Sequence, residues 1–142
     1  LRSEIVWDKM SARPESVKDR PARSHEKLFL FSKAQNYYYD WEAVAEESAS
    51  TESGLRNKRD VWQVRPTRVR NSVFHFARFP AGLITPCILS CSEEGDWVLD
   101  PFAGSGTVGL SALEHGRNCV LIDIKADYCA GMREQFQLTS SL

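Results

Sequence analysis

No stretch of this 142-residue chain is apolar for long enough to span a membrane, and no secretory signal is visible in it. Both absences predict a cytoplasmic protein that does not enter a membrane. The four cysteines, Cys87, Cys91, Cys119 and Cys129, include no C-x-x-C pair, which argues against a zinc ribbon or a dithiol redox site. Thiols packed into a core are the favoured reading, with no metal. Histidine is scarce, at three residues. His25-Glu26 opens like a zinc-protease helix, but Phe29 stands where the second His belongs, so that chemistry is excluded. The six prolines, at positions 14, 21, 66, 80, 86 and 101, are all isolated, and no Pro-Pro pair exists. No internal repeat is present.

The formal net charge of −1 conceals an uneven spread. Residues 1–70 hold 14 Lys/Arg against 11 Asp/Glu, while residues 71–142 hold 4 against 8. The basic excess has a focus at Arg56, Lys58, Arg59, Arg65, Arg68 and Arg70, opposed within that run only by Asp60. Such a run can neutralise several phosphates. A solvated, mobile loop is the competing reading.

The most informative stretch is Trp97-Val98-Leu99-Asp100-Pro101-Phe102-Ala103-Gly104-Ser105-Gly106-Thr107. A short apolar run, predicted to be a buried strand, ends in a carboxylate and meets a glycine turn that opens a helix over 107–115. Gly116 is placed to close that helix. Asn118 to Ile122 then reads as a second strand ending at Asp123, 19 residues beyond Gly104, where an acid can accept both hydroxyls of a ribose. The turn also matches G-x-G-x-x-G through Gly109, a weak signal alone. Electrostatics decides between cofactors. Asp100-Pro101 would repel a pyrophosphate and removes a backbone donor, which disfavours NAD. S-adenosylmethionine carries a sulfonium and an ammonium that a carboxylate can balance, and glycines let the backbone approach it closely. A side chain at Gly106 is expected to block that pocket. A plain strand-turn-helix is the bland alternative.

Elsewhere, Ile5-Val6-Trp7 forms a short apolar core ending at Asp8-Lys9, and residues 10–24 read as an ordered loop with four basic residues. Lys27 to Ser32 is a continuous apolar run that suits a strand covered on both faces. Tyr37-Tyr38-Tyr39 could stack on bases or pack at a sheet edge. Residues 42–54 are polar and Ser-rich, which predicts a flexible insertion. Arg59 to Val64 offers one short strand. A helix follows Pro80 with Leu83, Ile84, Cys87, Ile88 and Cys91 on one face, although Pro86 lies inside it. A last helix over 126–138 carries Tyr128, Met132, Gln135 and Phe136. Alternating strands and helices in the second half argue for a partly parallel α/β sheet.

With these residues placed, the chain resembles the DNA amino-methyltransferases that modify adenine N6 or cytosine N4, in the permuted group whose catalytic region precedes the cofactor region. The resemblance is carried by Leu1–Lys9, Arg20–Glu26, Phe29–Lys33, Asp60-Val61-Trp62, His75–Pro80, Asp100–Thr107 and Ile122-Asp123, with residues 41–58 unmatched. It implies a three-layer α/β/α, Rossmann-like sheet that is incomplete at its N-terminal side. It implies one partial methyltransferase domain: strands over 1–40, a short basic target-recognition insertion over 41–72, and an S-adenosylmethionine-binding part over 73–138. The cofactor set is then Asp100, Pro101, Phe102, Ala103, Gly104, Ser105, Gly106, Thr107, Asp123, Ile124, His75 and Phe79. The double-stranded DNA set is Arg20, Arg23, Arg56, Lys58, Arg59, Arg65, Arg68 and Arg70.

One part of the pattern is missing. The family carries an Asp/Asn/Ser-Pro-Pro-aromatic tetrapeptide whose polar groups accept hydrogen bonds from the target amine while its aromatic ring stacks on the flipped base. The isolated prolines cannot supply it, so no catalytic residue is assigned, and Asp100-Pro101-Phe102 belongs to the cofactor loop instead. The chain begins at Leu1 in mid-strand pattern, and an upstream segment or a companion chain is expected to carry the tetrapeptide. Three functions follow: part of a DNA methyltransferase, inactive alone; an inactive remnant that keeps cofactor and DNA binding; and, on the glycine pattern only, an NAD-dependent oxidoreductase.

Overall fold

The computed structural model describes residues 1–11, 14–66 and 79–139, with the side chains of 138 and 139 excepted. His75, Arg68 and Arg70 lie outside the described residues. Alternation of apolar side chains forms strand β1 at Ser3–Asp8, which turns Trp7 inward. It pairs antiparallel with β2 (His25–Leu30) on one edge and parallel with β5 (Val61–Gln63) on the other. Trp7 and Trp62 lie opposite each other in the β1–β5 register and form a core cluster with Leu83, against which Ile5, Leu28, Val64, Phe79 and Cys87 pack. Each buried indole also finds an acceptor, Trp7 Nε1 donating to the Val64 carbonyl and Trp62 Nε1 to that of Arg59, both at 2.7 Å.

β2 is not covered on both faces. It is an edge strand paired only with β1 among the described residues, and Phe29 and the following Phe31 are 50% and 67% exposed. Residues 42–54 also depart from expectation. A 3-10 turn at Glu42–Val44 leads into a small hairpin of β3 (Glu46–Glu47) and β4 (Leu55–Arg56). Its polar composition is what closes it: Ser48 N–H donates to the Gly54 carbonyl, and Thr51 Oγ1 donates to the Leu55 carbonyl. Ser48 is buried.

The second half is a β–α–β unit preceded by a helix. Helix α1 (Ala81–Cys91) packs on α2 (Thr107–Glu114), and α2 joins the parallel strands β6 (Trp97–Asp100) and β7 (Asn118–Leu121). Helix α3 (Ala126–Thr139) follows. Ile88, Val108 and Ala112 form a second core cluster, and Phe79 packs against both clusters. That shared ring, with α1 behind it, ties the two halves together. Pro86 sits in the second turn of α1, so Gly82 loses its helical donor. Gly82 is exposed at the start of the helix, where water can replace that donor.

Among the described residues, only one face of β6–β7 is covered. Val98 and Cys119 turn toward the helices, whereas Trp97 (69%) and Leu99 (62%) stand exposed on the other face, which corrects the expectation of a buried strand. Cys91 is exposed as well, so the core-thiol reading fails there while Cys87, Cys119 and Cys129 are partly buried. No metal-binding group of His, Cys, Asp and Glu occurs among the described residues, and no helix there is long and apolar enough to cross a membrane.

Candidate functional site

The carboxyl ends of β6 and β7 meet at the glycine turn. Asp100 closes β6 and folds its Oδ1 back onto the Phe102 N–H at 3.0 Å. The loop is then stitched to the end of β7 by two backbone bonds, Ala103 N–H to the Ile122 carbonyl and Ile122 N–H to the Asp100 carbonyl, each 2.9 Å. Ala103 is buried as the floor of this turn. Gly106 N–H donates to the Ala103 carbonyl, and Gly106, at φ +79°, is the N-cap of α2. A non-glycine residue would be strained there. Ser105 and Thr107 face each other through hydroxyls 3.4 Å apart.

Asp123 ties this turn to the segment after β7. Its Oδ2 accepts the Gly104 N–H at 2.8 Å and its Oδ1 accepts the Lys125 N–H at 2.9 Å. The Lys125 bond first, and the Gly104 bond next, hold this carboxyl below the usual carboxylate range, so it is ionised at neutral pH. The residue therefore has a loop-closing role that the strand-acid spacing does not reveal. A carboxylate offers about four lone-pair sites, so two N–H donors leave room for hydroxyl donors.

The glycines divide by what lies around them. A Cβ built on Gly104, at φ +52°, would meet nothing within 4 Å. One built on Gly106 would lie 3.1 Å from Phe136 and 3.2 Å from Met132, and one on Gly109 2.5 Å from Leu121. Gly104 is thus the position that leaves the turn open, while Gly106 and Gly109 are dictated by the packing of α2 against α3 and β7. A side chain at Gly106 meets α3 rather than open space. Phe102 (88% exposed) and Ile124 (99% exposed) stand beside the turn as uncovered apolar groups, and Pro101 is exposed between Asp100 and Phe102. These residues fit S-adenosylmethionine: an open backbone approach at Gly104, two carboxylates for a cation-bearing nucleoside, and apolar groups free to contact a base. Phe79 is placed otherwise, half-buried between the core clusters.

The sequence of residues 1–134 matches the family model described as DNA methylase, the N6/N4 methylases. The chain belongs to the N6/N4 DNA methylase family. S-adenosylmethionine is the cofactor of this family. The Type II methyltransferase M.Cfr9I of Citrobacter freundii is 54% identical over 128 residues, covering 90% of this chain and 41% of that protein. M.SmaI of Serratia marcescens is 43% identical over 135 residues, covering 95% of this chain and 46% of that protein. Among solved structures, the PvuII DNA methyltransferase (cytosine-N4-specific) superposes with a TM-score of 0.75 at 25% identity, over 94% of this chain and 50% of that one. The M1.HpyAVI–SAM complex shares the fold, with a TM-score of 0.62 at 22% identity over 94% of this chain and 61% of that one. The chain spans less than half the length of these curated relatives. Its α/β architecture is an incomplete Rossmann-like methyltransferase fold.

The basic residues divide into two groups in this family member. Arg56, Lys58 and Arg59 converge on Glu46, whereas Arg20 and Arg23 lie in the loop after β1, Arg20 within 3.6 Å of Glu15 and 3.5 Å of Asp19. Arg65 follows β5 and is exposed. Sequence reasoning missed Glu46 as the centre of the first group. Its cross-strand pairing with Arg56 is visible only once the hairpin exists.

Proposed function

We propose that this chain is the cofactor-binding and DNA-facing part of a methyltransferase acting on the exocyclic amine of adenine (N6) or cytosine (N4) in double-stranded DNA. The observation that carries this reading is the turn Asp100–Thr107, closed by Asp123 yet open at Gly104. When bound, S-adenosylmethionine supplies a methyl group activated by its sulfonium. In this reading Asp123 accepts the ribose hydroxyls with its remaining lone pairs, Asp100 balances the cationic end, and the backbone at Ala103 to Thr107 gives the ligand a close approach. Phe102 and Ile124 contact the base, and His75 and Phe79 belong to the methionine end by family position. Residues 73–138 then form the cofactor part, and the basic residues of 41–72, with Arg20 and Arg23, face DNA.

The 142 residues contain no adjacent prolines, and in this reading an upstream segment or a companion chain supplies the catalytic tetrapeptide. One observation supports that division: the apolar face of β6–β7 that the described residues leave uncovered. The alternative is a binding module that keeps cofactor and DNA affinity only, and the missing tetrapeptide favours it for the chain alone. The test is transfer of labelled methyl from S-adenosylmethionine to mixed-sequence duplex DNA, by the chain alone and with a separate peptide segment carrying the family's Asp/Ser-Pro-Pro-aromatic tetrapeptide added. Label only in the mixture supports a divided enzyme. No label in either, with S-adenosylhomocysteine still bound, supports the binding module. Tight NADH binding in place of S-adenosylhomocysteine would overturn both.

A further inference from the structure

A cavity of about 670 Å³ opens beside β5, lined by Glu46, Arg56, Lys58, Arg59, Asp60 and Gly82 among others. Three cations converge there on one carboxylate. Arg59 Nε lies 3.3 Å and Arg56 Nε 3.4 Å from Glu46 Oε2, and Lys58 Nζ lies 3.7 Å from Oε1. All three distances exceed the 2.7–2.9 Å of a well-made charge-assisted bond. Arg56 Nε is buried and, despite its nearness to Glu46, has no hydrogen-bond partner among the described residues. A buried donor without an acceptor is costly, and the single negative charge of Glu46 leaves two of the three positive charges around it uncompensated.

The cluster is also held in place from below. Arg56 is paired with Glu46 across the β3–β4 register, the Arg59 carbonyl accepts the indole N–H of buried Trp62, and Lys58 Nζ sits 5.2 Å from the centre of that indole. Gly82 brings the start of α1 to the cavity, and that helix has neither a side-chain cap nor an acidic residue in its first turn. Burial opposes ionisation of Glu46, but hydrogen bonds from the Arg59 backbone and side chain, with the Lys58 charge, outweigh it and hold the carboxyl below its usual value. Asp60 also lines the cavity and reduces the positive excess without removing it.

From this arrangement we infer that the cavity is a binding site for one phosphodiester group of duplex DNA. Arg56, Lys58 and Arg59 are its ligands, and Glu46 is the internal counter-ion that keeps them in position until a phosphate arrives. The inference rests on the reading of DNA as substrate and adds to it a defined contact with a resident competitor. It carries an unusual sign. Removing the negative charge of Glu46 strengthens DNA binding, whereas removing a cation weakens it.

The test is fluorescence anisotropy of a labelled mixed-sequence duplex of about 20 base pairs, titrated with the chain and its Glu46→Gln and Arg59→Ala variants over a range of KCl. Calorimetric titration with S-adenosylhomocysteine and thermal melting run alongside. Glu46→Gln is expected to bind the duplex several-fold tighter at low salt, and Arg59→Ala to bind several-fold weaker with a log–log salt slope shallower by about 0.9. Retained S-adenosylhomocysteine affinity shows that each variant is folded. Should Glu46→Gln prove less stable, Lys58→Gln gives the same reading as Arg59→Ala without disturbing the carboxylate. Unchanged duplex affinity and slope in the variants, or a wild-type chain that binds S-adenosylhomocysteine but no duplex, overturns the phosphate site and leaves the methyltransferase reading standing. Failure to bind either ligand overturns both.

Discussion

The carboxylate of Asp123 accepts the backbone N–H of Gly104 at 2.8 Å, joining the end of one parallel strand to the glycine turn that follows its neighbour. One side chain thereby shapes the turn and offers its remaining lone pairs to a ligand. Asp123→Asn keeps an acceptor oxygen but loses charge, and Asp123→Ala loses both. Asp123→Ala is expected to weaken S-adenosylhomocysteine by roughly tenfold or more, with Asp123→Asn intermediate. Isothermal titration of the two variants checks the order. Affinity in both equal to that of the wild type would show that the charge and the acceptor play no part in holding the ligand.

The same bonds predict how stability responds to acid. Asp123 is held below its ordinary value of 3.8 by the N–H groups of Lys125 and Gly104. A carboxyl depressed in the folded state contributes stability that is whole above its unfolded value and is lost as pH falls through the folded one. Between about pH 5 and about pH 3, the melting temperature of the wild-type chain is expected to fall more steeply than that of Asp123→Asn. Thermal unfolding followed by circular dichroism measures the two slopes. Parallel slopes would remove Asp123 from the acid response.

The two glycines of the turn make a sharper comparison, because only Gly104 faces open space. Gly106→Ala must place a side chain at φ +79° against Phe136 and Met132, which adds overpacking of about 1–3 kcal/mol to the left-handed strain. Gly104→Ala at φ +52° meets no neighbour and carries the left-handed strain alone, about 1–2 kcal/mol. Gly106→Ala is therefore expected to lose more stability in denaturant unfolding, and Gly104→Ala more S-adenosylhomocysteine affinity. The reverse pattern would move the ligand to the α3 side of the turn.

How much of this was legible in the sequence depended on whether an element carries its own signal. The strand-turn-helix-strand from Trp97 to Asp123 was readable because glycine, proline and acid each sit where backbone geometry demands them. The β3–β4 hairpin was not, because residues 42–54 have no apolar periodicity. What closes it is Ser48, Thr51 and the cations around Glu46, partners that become neighbours only after folding. Burial of Trp97, Leu99 and Phe29 was over-read for a related reason. Apolar runs show which residues can be covered, whereas which face is covered depends on the elements packed against it.

The cysteines test that distinction between a residue's type and its surroundings. Cys87 and Cys91 are one helical turn apart, yet Cys91 is exposed while desolvation, and next the neighbouring Cys91, push the Cys87 thiol up to about 11. Desolvation raises Cys119 as well. Because the thiolate is the nucleophile, alkylation follows both access and thiolate fraction. Iodoacetamide at about pH 8 is expected to label Cys91 first and Cys87 at least roughly tenfold more slowly, with Cys119 also slower than Cys91. Peptide mass spectrometry over a time course reads all three rates from one sample. Equal rates at Cys87 and Cys91 would mean that α1 does not hold Cys87 against Trp7, Trp62 and Leu83 in solution.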